Sequence, residues 1–196
     1  MAEVKILIEG YGKEVEGSDF FSATTTLIKN KGKNIIVDPG VNRSLLLKIL
    51  KKENLSPKDI NYVILTHYHL DHSLLSGLFE NAKILDNSDC WSWDGKMEQY
   101  DQKKIFGKDI NVIQTPGHDR FHCSVLVDTK DGKIAIVGDV FWWKDNQRQE
   151  ISRAGLLNHE DEYVKDLKAL KLSRKKVLQM ADWIIPGHGK IFKVKK

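Results

Sequence analysis

The sequence predicts an α/β fold of the α+β kind: two β-sheets packed together, with helices on the outer faces. Three observations predict it. The early apolar runs are rich in β-branched residues and joined by tight turns, as hairpins are. The later runs alternate with stretches of helical periodicity. Turn-forming residues repeatedly end a predicted strand beside a histidine or an aspartate.

Length and composition agree. The 196 residues suit a single domain over 1–196, long enough to be built from two similar halves. A chain of this size buries roughly 70% of its unfolded surface and needs no staples. Hydrophobic residues make up 41% and charged residues 30%, which excludes a disordered chain.

Val4–Ile8 reads as a strand. Thr24–Ile28 and Asn34–Val37 flank Asn30-Lys31-Gly32-Lys33 and read as a hairpin, closed by Asp38-Pro39-Gly40. Asn42 can cap a helix carrying Leu45, Leu46, Ile49 and Leu50 on one face. Ser56-Pro57 starts a short helical turn, because proline suits the first helical position. Tyr62–Leu65 reads as a buried strand, followed by a helix from Leu70 to Phe79. Ala82–Leu85 is a strand, residues 87–101 a polar, turn-rich stretch, and Val112-Ile113 a strand running into Thr115-Pro116-Gly117. Cys123–Val127 and Ile134–Val137 form a second hairpin. Residues 144–157 read as open loop and Asp161–Met180 as a long helix. Trp183–Ile185 then leads into the tight turn Pro186-Gly187-His188-Gly189, and Ile191–Val194 adds a last strand.

Several function classes are set aside by what the sequence contains. Cys90 and Cys123 form no CxxC pair, so they read as reduced thiols rather than a redox motif or a cysteine zinc site. No stretch approaches the ~18 apolar residues of a membrane span. The start, MAEVKILIEG, lacks the parts of an export signal, so a cytoplasmic protein with no membrane partner is expected. The net charge of +4 permits an anionic substrate without requiring one. Much of the excess lies at Arg174, Lys175, Lys176, Lys193, Lys195 and Lys196, read as a solvated helix face and a polar tail.

The sharpest signal is His67-Tyr68-His69-Leu70-Asp71-His72, where a strand gives way to a helix. Residues two apart in an extended segment project the same way, so His67 and His69 can reach one ion. Asp71 and His72 fall at the helix start and can turn toward a second. Imidazole nitrogen and carboxylate oxygen are the usual ligands of catalytic zinc. His118 after Thr-Pro-Gly, Asp139 after Gly138 and His188 in Pro-Gly-His-Gly each follow a strand end where the backbone can turn sharply. Five of the seven histidines fall in these places.

This pattern resembles the signature of the metallo-β-lactamase superfamily, HxHxDH followed by separated His, Asp and His, in order along nearly the whole chain. The resemblance implies an αββα sandwich of two mixed β-sheets, with metals at one edge. It implies that His67, His69 and His118 hold a first metal and Asp71, His72 and His188 a second, with Asp139 bridging. Two divalent ions follow, zinc before manganese or iron, and with them a hydrolase acting on a carbonyl or a phosphorus. Asp71 would also handle protons. Asp38 would sit near the metals. His122 is not a family ligand and reads as structural or as backing the site. Two positions depart from the pattern. Asp119 stands where Ser or Thr is frequent, and could orient His118. Phe121 stands where Gly is frequent, and would narrow the loop.

Gly138-Asp139-Val140-Phe141 and Ala181–Gly189 further resemble a branch of the superfamily associated with endonucleolytic processing of histone pre-mRNA. The substrate implied is therefore an RNA phosphodiester or a small molecule, with a glyoxalase II-like thioester or a lactone as alternatives. The thioesterase normally carries a helical domain beyond the last histidine. A persulfide dioxygenase, with one iron, is the oxidoreductase alternative. The flavodiiron branch places Glu where this chain has His69. A non-catalytic member would have lost ligands, and all seven positions are filled. Trp91, Trp93, Trp142 and Trp143 could line the mouth of the site or pack in the core. Oligomeric state is not legible.

Overall fold

The computed structural model describes residues 1–195; Lys196, counted above in the basic tail, lies outside the described residues. In chain order the strands are β1 (Glu3–Ile8), β2 (Tyr11–Val15), β3 (Ser18–Ser22), β4 (Thr25–Asn30), β5 (Lys33–Val37), β6 (Tyr62–Ile64), β7 (Lys83–Leu85), β8 (Asp89–Trp91), β9 (Met97–Gln99), β10 (Ile110–Gln114), β11 (Cys123–Thr129), β12 (Gly132–Ile136), β13 (Trp183–Ile185) and β14 (Phe192–Lys193). The helices are α1 (Arg43–Lys52), α2 (Leu70–Ser73), α3 (Gln102–Phe106), α4 (Arg153–Asn158) and α5 (Leu167–Met180).

Two mixed sheets form the body. The first runs β1-β4-β5-β6-β7-β8-β9 and the second β10-β11-β12-β13-β14; β2 and β3 make a separate hairpin. In each large sheet two antiparallel pairings are followed by a parallel one, β5 with β6 and β12 with β13. The crossover carries α1 in the first sheet and α4 with α5 in the second. The two halves thus repeat one topology, which periodicity in the sequence does not reveal.

Strand alternation sorts the core into three layers. Ile28, Ile35, Val37 and Ile64 of the first sheet meet Val125, Val127, Ile136 and Ile185 of the second between the sheets. Leu27, Ile36 and Val63 point the other way, onto Leu46 and Leu50 of α1. Leu126, Ala135 and Ile184 likewise face Leu170, Val177 and Leu178 of α5. The order helix, sheet, sheet, helix is the αββα sandwich that the sequence implied. No described helix is long and apolar enough to cross a membrane.

Local signals account for many element boundaries. Lys31 and Gly32 both take positive φ, 50° and 74°, as a two-residue β4–β5 turn requires. The Asn42 side chain accepts from the Leu45 N–H and starts α1. The Ser56–Asp59 capping box holds the turn at Pro57.

Five expectations fail. The helix expected over Leu70–Phe79 is α only to Ser73 and continues as a 3₁₀ turn over Leu74–Leu78. Residues 87–101 contain the β8–β9 hairpin, because strand pairing recruits polar residues with weak intrinsic preference. Residues 144–157 include the start of α4, capped by Ser152. The long helix begins at Leu167 rather than Asp161, because the Asp166 side chain caps it by accepting from the Ala169 N–H. Arg174, expected on a solvated face, is fully buried, whereas Lys175 and Lys176 are exposed.

Leu50 is fully enclosed between α1 and the first sheet. Leu50→Ala is expected to lower the free energy of unfolding by about 2–5 kcal/mol, measured by urea titration. A loss within the roughly 0.5 kcal/mol of a surface substitution would contradict this packing.

Candidate metal centre

Every predicted metal-ligand position lies beyond the end of a strand, at the same end of the two sheets. Asp71 and His72 follow β6 at the start of α2, with His67 and His69 just before it. His118 lies beyond the end of β10, Asp139 beyond β12 and His188 beyond β13. Backbone bonds lace these loops together. Ala23 N–H donates to Asp71 O (3.0 Å), Thr24 N–H to Gly187 O (2.7 Å), Gly187 N–H to Gly138 O (2.8 Å) and Cys123 N–H to Thr66 O (2.8 Å).

The side chains fall into two groups around one carboxylate. Asp139 Oδ2 lies 3.4 Å from His118 Nε2 and 3.8 Å from His67 Nε2. Its Oδ1 lies 3.2 Å from His72 Nε2 and 3.8 Å from His188 Nε2. His69 Nδ1 joins the first group at 3.2 Å from His118 Nε2. Asp71 Oδ2 joins the second at 3.1 Å from His188 Nε2. Ligand atoms of His67, His69, His118 and Asp139 lie within 4.8 Å of one another, as do those of Asp71, His72 and His188.

Four imidazoles are fixed from behind through Nδ1. His72 Nδ1 meets Asp38 Oδ2 at 2.8 Å, and His118 Nδ1 meets Asp161 Oδ2 at 2.8 Å. His188 Nδ1 lies 3.0 Å from Tyr11 O, and His67 Nδ1 lies 3.1 Å from Thr66 Oγ1. The Thr66 hydroxyl donates to Asp38 Oδ2 (2.7 Å), which leaves its oxygen to accept from His67. Each Nδ1 therefore carries the proton, and each Nε2 presents a lone pair to the centre. Asp38 takes φ 50°, a left-handed value that aspartate tolerates, and accepts from the Thr66 N–H (2.8 Å) as well.

Electrostatics acts unevenly across the site. Burial pulls His67 well below its ordinary value, and His72 adds to the effect. Burial pushes the Asp139 carboxyl up, but His72 and His188 beside it outweigh this and hold it well below the usual range. Burial opposes charge on His72, yet Asp139 and Asp38 raise it well above its ordinary value. A buried anion thus sits among imidazoles that face the same space.

The donor set fits divalent metal. His67 Nε2, His72 Nε2 and Asp139 Oδ1 are buried with no hydrogen-bond partner, although a buried polar group left so normally costs stability. A tetrahedral zinc with bonds of about 2.0–2.1 Å needs donors roughly 3.3 Å apart, close to the 3.1–3.4 Å separations here.

All seven predicted ligands come together. Asp38 lies behind His72. His122 backs the site: it stacks on His67 at 4.9 Å, its Nε2 accepts from the Asp139 N–H (3.2 Å), and its Nδ1 meets the Thr115 hydroxyl (3.0 Å). Burial pushes its pKa down to about 3, so it is neutral. Asp119 does not orient His118. Its Oδ1 accepts from the Phe121 N–H (2.9 Å) in a local turn, and Asp161 takes the place expected for it. Phe121 is exposed, on a different cavity from the histidines. Of the tryptophans only Trp142 reaches the site. Trp143 is buried beside Phe141 and Phe192, and Trp91 and Trp93 are exposed residues of the β8–β9 hairpin region.

A cavity of about 440 Å³ opens over the second group, lined by Phe21, His69, Leu70, Asp71, Asp139, Trp142, Tyr163 and His188. Phe21 meets the His188 ring edge-on at 6.0 Å, and Trp142 lies 5.7 Å from Tyr163. Sequence reasoning missed Phe21, Leu70, Tyr163, Thr66 and Asp161. None of them carried a local signal, because each is defined by partners distant in sequence.

A family model described as the metallo-beta-lactamase superfamily matches residues 18–86. Metallo-beta-lactamase domain-containing protein 1 of Xenopus laevis is 34% identical over 98% of this chain and 82% of its own length. A metallo-beta-lactamase-like structure from Thermotoga maritima has a TM-score of 0.72 and 26% identity, covering 98% of this chain and 99% of that one. AidC, a dizinc quorum-quenching lactonase, has a TM-score of 0.65 at 21% identity, covering 87% and 73%, a likeness of fold.

A Cβ on Gly187 would lie 1.9 Å from Asp139 Oδ1 and 2.9 Å from the Gly138 carbonyl carbon. Gly187→Ala is expected to cost about 1–3 kcal/mol by overpacking, measured by denaturant titration. Wild-type stability would show that the loops around Asp139 yield freely.

Proposed function

The chain belongs to the metallo-beta-lactamase superfamily, and from that premise we propose a hydrolase whose two groups hold two divalent ions, zinc foremost. The bond cleaved is a carboxylic ester, lactone or thioester in a small, largely apolar substrate. The observation that carries this reading is Asp139, a buried carboxylate with imidazoles against both oxygens at the floor of an apolar-walled cavity.

His67, His69, His118 and Asp139 would hold one ion, and Asp71, His72, His188 and Asp139 the other, all within one domain spanning 1–196. When bound, such ions supply Lewis acidity and bring the pKa of water from 15.7 to about 7. The chain's own residues do the rest. The protonated Nδ1 atoms keep His67, His72, His118 and His188 aimed inward. Asp71 is the partly exposed carboxylate at the cavity wall, placed to accept and return a proton between substrate and solvent. Phe21, Leu70, Trp142 and Tyr163 exclude water and hold an apolar group beside the scissile carbonyl.

No lysine or arginine is among the residues lining this cavity, which favours a neutral ester over a phosphodiester. The dizinc lactonase of the same fold lends the lactone further support. RNA is the second reading, favoured by the net charge of +4 and by Lys175 and Lys176 exposed on α5. Both cysteines are free and buried, which suits a reducing, cytoplasmic setting.

Mass spectrometry of protein purified without chelator is expected to find two zinc or manganese ions per chain. One iron, with the second site empty after zinc is supplied, would move the reading to the mono-iron dioxygenase. His69→Ala and Asp139→Ala are each expected to abolish hydrolysis of acyl lactones and thioesters while circular dichroism stays unchanged. Wild-type turnover by either purified variant would sink the two-ion mechanism. A model phosphodiester hydrolysed with a higher kcat/KM than any ester or lactone would favour RNA.

A further inference from the structure

Asp161 has no place in the seven-residue signature, yet it is firmly anchored. Its side chain is fully buried, and its Oδ2 lies 2.8 Å from His118 Nδ1. Its Oδ1 accepts from the Tyr163 N–H at 3.0 Å, so both oxygens are engaged. The segment bearing it is pinned at both ends. Arg174, a buried cation on α5, donates from Nη1 to His159 O (2.6 Å) and from Nε to Val140 O (3.1 Å), one residue from Asp139. At the other end, Lys165 and Asp166 N–H both donate to Gly117 O (2.9 Å), one residue from His118. A Cβ on Gly117 would lie 2.3 Å from the Leu170 backbone, so α5 packs directly against the loop that presents His118.

The imidazoles of the first group are held very unequally. His67 rests on a neutral hydroxyl, and His69 is only partly buried with no support through a second nitrogen among the bonds found. His118 alone in that group is backed by a buried carboxylate. In the second group His72 has Asp38 in the same relation.

We infer that Asp161 is the positioning residue of the first group. It fixes the Nδ1–H tautomer and the ring direction of His118, and so sets the affinity of the His67–His69–His118–Asp139 site separately from its neighbour. The inference rests on the reading of the two groups as metal sites. Carboxylates behind ligating imidazoles characteristically change metal affinity by about 10–100-fold when removed. Asp161 acts through His118 and does not itself line the cavity.

The test pairs Asp161→Ala with Asp161→Asn, which keeps the shape and a hydrogen-bond acceptor but loses the charge. Metal-free protein is titrated with Zn²⁺ against a chromophoric chelator, and the His118 tautomer is read by ¹⁵N NMR before metal is added. In wild type, His118 is expected with Nδ1 protonated and Nε2 bare. Asp161→Ala should lose that preference and weaken one zinc equivalent by about 10–100-fold, leaving the other within about twofold. Asp161→Asn should fall between. If Asp161→Ala does not fold, Asp161→Asn decides, and affinity and tautomer equal to wild type would overturn the inference. Equal weakening of both ions would also overturn it, because a general structural role would act on both sites. If wild type takes up no zinc, the metal reading fails by itself. The tautomer comparison still decides whether Asp161 directs His118.

Discussion

A carboxylate buried among five imidazoles is stable only if the groups around it are fixed, and that condition organises this end of the molecule. Asp139 must bring one oxygen to His67 and His118 and the other to His72 and His188. Its two oxygens are about 2 Å apart, so the loops that carry these histidines have little latitude. Gly138 takes φ 48° and approaches Thr66 so closely that a side chain would collide. Gly187 is bare for the same reason, with Asp139 itself as the obstacle. Glycine at these two positions is a condition for closing the loops over one carboxylate.

The sheets supply the rest of that condition. Parallel pairing of β5 with β6 and of β12 with β13 brings their carboxyl ends to the same side of the sandwich. Loops at such ends are where open mixed sheets collect functional groups. The interleaved core between the sheets then fixes how one set of loops meets the other. Packing at Ile35 or Val125 is therefore linked to the site through rigid strands rather than through contact.

The sequence was informative where chemistry and turn geometry coincide. Histidines next to Thr66, Gly117 and Gly187 stand out because ligand-type residues beside turn formers are scarce by chance. Hairpins at Lys31-Gly32 and Thr129–Gly132 were visible for the same local reason. What could not be read depends on distant partners. Asp161 sits 43 residues from His118, and nothing local distinguishes it from an ordinary helix-start acid. The better cap, Asp166, lies five positions later, so the expected helix absorbed both. Asp119 was the nearer candidate in sequence, but the turn at Phe121 uses its carboxylate first. Arg174 shows the same limit: adjacent Lys175 and Lys176 face solvent, and only the three-dimensional path of α5 turns the arginine inward.

The two-residue turn between β4 and β5 lies at the opposite end of the strands from the histidines, and the turn between β11 and β12 does likewise. Exposed turns of this kind are where chains accept added residues with least disturbance. The molecule is therefore modular in an evolutionary sense. Length can grow at one pole, acquiring partners or appended segments, while the other pole changes only by exchanging the residues that shape its cavity.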